Sequence, residues 1–221
     1  MRPLYFDFNA TTPVEPRVVE AMLPYLEDRF GNPGSSHFLG VAASKAVGRA
    51  RQQLAELINC EPQGVVFTSG ATEANNMALF GLLGFGRGKG LVTTAIEHPS
   101  ILEPAKELER QGVPVRYIKP GPDGRVSPED VLAEVDDTTG LISVMLANNE
   151  TGVLQPVAEI AARAQDKGVP VHTDAAQAVG KIPVDVKQLG VDLLTVAGHK
   201  MYAPKGVGAL YVWPGMTIEP M

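Results

Sequence analysis

The sequence predicts an α/β protein: a mainly parallel sheet sandwiched by helices. Three observations carry that expectation. Seven short runs rich in β-branched and aliphatic residues recur along the 221 residues. Most of them are continuously apolar rather than alternating, as in strands covered on both faces. Longer segments with helical spacing separate most of the runs, so the strands connect by crossovers, right-handed by rule, that favour parallel pairing.

"ATTPVEPR" (10–17) reads as an extended arm leading into a helix. A helix is expected from about Glu15 to Phe30. "FGNPGSSH" (30–37) is a turn-rich loop in which Asn32, Ser35, Ser36 and His37 are free to line a site. Ala42–Ile58 has apolar residues at helical spacing, with Arg and Gln opposite. A first strand, Gly64–Thr68, leads through Thr-Ser-Gly into a helix over Ala71–Leu83. Leu91–Ala95 reads as a strand. Pro99–Gln111 reads as a helix with proline in its first turn. Val113–Ile118 is the next strand. Ser127–Val135 opens with a cap, a proline and two acids. Leu141–Leu146 is followed by a helix over Pro156–Lys167 that ends at Gly168. The last runs are Val169–Thr173, Val191–Val196 and Val207–Val212. The final two are joined by a short Pro/Gly turn that suits antiparallel pairing at one side of the sheet.

Composition narrows the function. A net charge of −6 argues against nucleic acid or an anionic membrane as the main partner. No apolar run reaches membrane-spanning length, and the first residues lack the apolar core of a signal peptide. The single cysteine, Cys60, excludes an internal disulfide framework and a cysteine-rich zinc site. The histidines lack paired spacing, so no metal site is expected. A cytoplasmic protein is the resulting expectation. "GLLGFGRGKG" (81–90) has neither G-x-G-x-x-G spacing nor a P-loop lysine before Ser or Thr, and reads as a solvated turn.

Ligands of open α/β sheets bind beyond the carboxyl ends of the strands. Five of the expected strand ends run into polar segments: "TSGATEANN", "IEHPS", "ANNETG", "TDAAQ" and "AGHK". The start of the 71–83 helix can hold an anion on free N–H groups, or be a plain turn capped by Thr68, Ser69 or Thr72. Asp174 ends a buried run. It either caps the segment after it or faces a cation, because an unpaired carboxylate there is costly. Lys200 either reaches solvent or sits in a partly dry cleft, where its lowered pKa lets it attack carbonyls. His199 is a phosphate donor or a loop histidine. His98 stands at a helix entry. His172, two residues before Asp174, is expected in a core or supporting role. A strand-end lysine, a buried aspartate, an anion-binding helix start and a ring-sized histidine together match what pyridoxal 5'-phosphate requires.

The segments "YFDFNATTPVEPRV", "FGNPGSSH", "VVFTSGATEANN", "IEHPSI", "MLANNETGV", "VHTDAAQAVGK" and "VDLLTVAGHKMYAPKGVGALYV" closely resemble the cysteine desulfurases of the class V aminotransferase superfamily, in order, from Tyr5 to about Val212. The resemblance implies the large domain of fold type I among pyridoxal-phosphate enzymes, over 15–221. Residues 1–14 would be an arm associated with a small domain that is itself mostly missing from this chain. It implies that Lys200 bonds the cofactor and moves the substrate proton, and that His98 stacks on the ring. Asp174 would pair with the ring nitrogen and Gln177 with the ring hydroxyl. Ala71, Thr72 and His199 would hold the phosphate. Asn149 would lie beside cofactor and substrate, and Asn32 near the substrate carboxylate.

The implied reaction takes sulfur from L-cysteine, leaving alanine and a persulfide on the enzyme, for iron–sulfur cluster or thiocofactor synthesis. A homodimer and a sulfur-acceptor protein are the implied partners. Two departures stand out. The persulfide cysteine of the family is absent, and Cys60 is expected far from the strand-end cluster. Ala197 stands where many members carry a phosphate-binding serine. Selenocysteine lyase, another class V enzyme, or a non-catalytic half needing a second polypeptide are the alternative readings.

Overall fold

The computed structural model describes residues 4–84 and 89–219. Of the segment 81–90 expected as a solvated turn, residues 81–83 finish a helix and Gly90 opens a strand, while residues 85–88 lie outside the described residues. The seven strands are β1 (Val65–Thr68), β2 (Gly90–Thr94), β3 (Val115–Ile118), β4 (Thr139–Ser143), β5 (Val171–Asp174), β6 (Leu193–Ala197) and β7 (Gly208–Val212). The helices are α1 (Pro16–Glu27), α2 (Phe38–Ile58), α3 (Ala71–Leu83), α4 (Pro99–Arg110), α5 (Pro128–Ala133), α6 (Val157–Gln165) and α7 (Val186–Leu189).

One sheet forms in the order β1-β7-β6-β5-β4-β2-β3. β6 and β7 pair antiparallel, with Ala197 opposite Gly208. β7 also pairs antiparallel with β1, with Thr68 opposite Gly208. The expected reversal is therefore found, but β7 lies inside the sheet. Reversing β7 alone leaves the other six strands mutually parallel, with their carboxyl ends at one margin. The inner strands β2, β5, β6 and β7 are buried at every residue, whereas the edge strands β1 and β3 are mixed.

Side chains alternate between two packed layers. Leu193 joins Leu79, Ile101 and Leu210 under α3 and α4, while its neighbour Leu194 joins Ile142, Ile160 and Val196 on the other face. This two-sided burial is why the strands read as unbroken apolar runs. Among the described residues, no helix is long and apolar enough to cross a membrane.

Local chemistry explains where boundaries differ from expectation. α2 begins four residues before Ala42, because His37 serves as its N-cap and accepts from the Gly40 amide at 3.4 Å. α1 stops at Glu27, short of Phe30. α7 is one turn that the periodicity did not signal; Asp185 builds it by accepting from the amides of Lys187 and Gln188. β5 extends to Asp174, which makes this carboxylate the last residue of its strand.

The joint between the two sheet reversals is a close glycine contact. A Cβ on Gly208 would lie 2.7 Å from the Gly70 backbone and 2.8 Å from the Val196 carbonyl. Backbone cannot step aside as a side chain can, so Gly208→Ala is expected to lower unfolding free energy by about 1–3 kcal/mol. Gly48→Ala, on the exposed face of α2 with nothing within 4 Å, should raise it by roughly 0.5–1 kcal/mol. Denaturant titration of the two variants checks both signs.

Candidate active site

A cavity of about 570 Å³ opens at the margin where the parallel strands end. Ala71, Thr72, His98, Asn149, Asp174, Gln177, His199 and Lys200 all line it. They come from the ends of β1, β2, β4, β5 and β6, so strand order rather than sequence proximity assembles them. Asn32 does not line this cavity; its Oδ1 accepts from the Gly34 amide at 2.8 Å within its own turn.

The start of α3 is free of side-chain caps. Its N-cap is Gly70, and its first bond runs from the Ala74 amide to the Gly70 carbonyl. The N–H groups of Ala71 and Thr72 therefore have no partner within the helix. Ser69 is spent on the turn: its amide and hydroxyl both donate to Glu73 Oε2 at 2.6 Å. A Cβ at Gly70 would meet nothing within 4 Å, so this helix start faces open space. Free amides and the helix dipole favour an anion there.

Asp174 is 5% exposed. Its Oδ1 accepts from the Ala176 amide at 2.9 Å and its Oδ2 from Asn75 Nδ2 at 2.8 Å. The capping reading of this residue holds, its donors are a backbone amide and a side-chain amide, and it also lines the cavity. Lys200 ends a short 3-10 turn, Gly198–Lys200, directly after β6. Its Nζ donates to the Asn9 carbonyl. Burial and the nearby Lys181 push its pKa below the usual lysine value, while Asp174 and Asp7 oppose that. His199 Nδ1 lies 3.1 Å from Thr11 Oγ1, and its carbonyl accepts from the Thr12 amide and hydroxyl. Burial, then the charges of Lys200 and Lys205, lower the His199 pKa. Residues 9–12 of the arm are thus laced onto residues 199–202. Gln177 donates to the Asn9 carbonyl at 2.9 Å.

His98 is the N-cap of α4: its Nδ1 accepts from the Ser100 amide at 3.1 Å and lies 2.8 Å from Ser100 Oγ. Asn149 projects from a turn that Asn148 builds by accepting from the amides of Glu150 and Thr151. His172 is fully buried between Ser143 Oγ at 2.9 Å and Thr195 Oγ1 at 3.0 Å, the core role expected for it.

Sequence reasoning passed over Lys205, Thr11, Asn75, Ser100 and Glu97. Lys205 lines the cavity because β7 is reversed, so its residues of interest precede the strand instead of following it. Asn75 is 0% exposed beside Ala74 and Ala78. A polar residue on the buried face of a helix was the available signal. Glu97 is 4% exposed; its Oε1 accepts from the Met145 amide at 2.9 Å and from Thr94 Oγ1 at 2.7 Å.

Comparison with known proteins gives a consistent answer. Residues 4–219 match the family model described as Aminotransferase class-V. The chain is 51% identical to cysteine desulfurase IscS of Anaeromyxobacter dehalogenans over 213 residues, 95% of this chain and 53% of that protein. It is 49% identical to the cysteine desulfurase of Mus musculus over 215 residues, 96% of this chain and 47% of that protein. Among solved structures, SspA in complex with cysteine superposes with a TM-score of 0.92 at 41% identity, covering 95% of this chain and 61% of that one. A NifS-like protein superposes at 0.95 with 38% identity, covering 99% of this chain and 61% of that one. The chain spans about half the length of the curated relatives it matches.

Two buried groups near the cavity give opposite pH dependences. Burial raises the Glu97 pKa from 4.5 to about 8; the Met145 and Thr94 bonds oppose this and the charge of Asp174 adds to it. The folded chain then keeps a proton that the unfolded chain releases, so stability falls as pH rises from 4.5 towards 8, by up to about 1.4 kcal/mol per pH unit. Burial lowers the His172 pKa from 6.5 to about 3, so its contribution is present above pH 6.5 and is lost on acidification. Glu97→Gln mimics the neutral acid and removes only the first effect. The difference in unfolding free energy between variant and wild type should move steadily in the variant's favour from pH 5 to 8. A flat difference would refute the neutral state of Glu97.

Proposed function

The chain belongs to the aminotransferase class-V family, and from that premise we propose that it carries the pyridoxal-phosphate half of a cysteine desulfurase active site. One observation carries the reading: a buried carboxylate, Asp174, and a lysine of lowered pKa, Lys200, share one cavity with an uncapped helix start. Enzymes of this family depend on pyridoxal 5'-phosphate.

The donor set suits that group. Across the sheet, β1 and β5 are three strand spacings apart, about 14 Å, with Lys200 following β6 between them. Amides of Ala71 and Thr72, with His199, would hold the phosphate. Asp174 would keep the ring nitrogen protonated, and the two hydrogen bonds it accepts fix the orientation of its carboxyl. His98 would stack on the ring, and Gln177 would meet the ring hydroxyl. Once bound, the cofactor supplies an electron sink for charge developing on the substrate carbon. Lys200 would hold the cofactor's aldehyde carbon and, when free, move the substrate proton at Nζ. A lowered pKa raises the neutral fraction of that amine.

L-Cysteine is the proposed substrate, with Asn149 beside it; Asn32, which the family resemblance puts near the substrate carboxylate, would have to reach it from outside this cavity. The relatives' names, and the one solved with cysteine, support this choice. Cys60 is half-buried beyond the amino end of β1, at the margin opposite the cavity. Sulfur acceptance would therefore need a thiol from outside these 221 residues. The reading extends to residues 15–221 as the cofactor domain, to a homodimer serving an acceptor protein, and to work in the cytoplasm on iron–sulfur cluster synthesis.

The test is covalent. Protein mixed with pyridoxal 5'-phosphate and reduced with borohydride should gain one cofactor mass, mapped to the peptide carrying Lys200. Lys200→Ala should lose the adduct, and Asp174→Asn should weaken binding at least about tenfold, roughly 1.4 kcal/mol. An unchanged adduct in Lys200→Ala would overturn the assignment.

A further inference from the structure

We propose that Asn75 and Ser100 are positioning residues that lock the His98 ring as its Nε2–H tautomer and tie it to Asp174. The observations form a chain of hydrogen bonds through a nearly dry interior. Asn75 is 0% exposed, Ser100 6% and Asp174 5%. Asn75 Nδ2 lies 2.8 Å from Asp174 Oδ2 and 2.8 Å from Ser100 Oγ. Ser100 Oγ in turn lies 2.8 Å from His98 Nδ1.

Proton bookkeeping fixes the direction of every link. An ionised carboxylate only accepts, so the face of Asn75 turned to Asp174 is its NH₂ group. The second hydrogen of that group goes to Ser100 Oγ, which leaves the hydroxyl hydrogen free for His98 Nδ1. The Ser100 amide also points at Nδ1, at 3.1 Å. A ring nitrogen that receives donors carries no proton, so the neutral ring bears its hydrogen on Nε2. Nε2 has no protein hydrogen bond among the described residues, and His98 lines the cavity. This deepens the proposed function and rests on it for the consequence: the cavity meets a donor at His98, and a substrate or cofactor group that bonds to it there must be an acceptor.

A second feature separates Asn75 from an ordinary core residue. Its Oδ1 is buried with no hydrogen-bond partner. Leaving an acceptor unsatisfied is costly, and a purely structural residue would be better replaced by an apolar one. The amide instead is retained where it can donate twice, to the two groups that flank the cavity.

Long-range proton–nitrogen spectra of histidine-labelled chain, without cofactor, test this directly. His98 is assigned by the loss of its signals in His98→Gln. Wild type should show one tautomer with an unprotonated Nδ1. Ser100→Ala keeps the amide donor but loses the hydroxyl, so both ring-nitrogen shifts should move part of the way towards the average of two tautomers, and Ser100→Thr should restore them. Asn75→Ala should move them the same way; if it does not fold, Ser100→Ala decides. A protonated Nδ1 in wild type, or unchanged shifts in folded Ser100→Ala, would overturn the proposal. Because no cofactor is present, failure of pyridoxal-phosphate binding and failure of this inference are read separately.

Discussion

A carboxylate held almost out of water sets the terms for everything around it. Asp174 ends β5 at 5% exposure, where desolvation disfavours the charged form. It stays useful as an anion only if donors are brought to it. The backbone supplies one at Ala176, because the chain turns immediately after the strand. The other must come from a different element, and α3 is the element that lies over β5 with a polar residue on its buried face. The helix that offers its start to an anion at one point of the cavity thus offers Asn75 at another.

The same desolvation treats a neighbouring carboxyl in the opposite way. Glu97 is as buried as Asp174, but its one acceptor oxygen is bonded to Met145 and Thr94 and the other has no partner. Burial, with the Asp174 charge adding to it, outweighs those two bonds, and its pKa rises to about 8. The two carboxyls differ in how their bonds are spread: Asp174 has one donor on each oxygen, whereas both Glu97 donors fall on Oε1. Glu97 holds the backbone of Met145, which lines the cavity, while Asp174 carries the charge.

Much of this was legible in the sequence because the fold repeats one rule. Continuous apolar runs report burial on both faces, and all seven strands were found from them. Polar segments after those runs report the functional margin, and residues from all five line the cavity; of the nine residues that the family resemblance placed at the site, eight line it. Asn32 is the exception: its loop folds into a local turn capped onto α2, and the spacing of "FGNPGSSH" says nothing of where that turn lies in space. The partners of Asn75 and Ser100 were not legible for another reason. Their roles are bonds between residues 25 and 99 positions apart, set by how α3 packs on the sheet. His172 shows that position alone does not make a site residue, since two flanking hydroxyls satisfy it within the core.

Lys205 exposes the limit of searching only beyond the carboxyl end of each strand. β7 enters the sheet from the margin where the other strands leave it, so the turn before it belongs to the site. That turn reaches α3 because Gly208 and Gly70 pack backbone to backbone, a distance no side chain would allow. The anion-favouring corner is therefore built from two pieces of chain more than 130 residues apart, roughly the spacing from α3 to β7. Ala197 brings no donor to this corner, and the reversed strand brings a cation to the same cavity. The arm completes the enclosure: Thr11 and Thr12 fasten residues 199–202, so the lysine sits on a segment held from both sides rather than on a free loop tip.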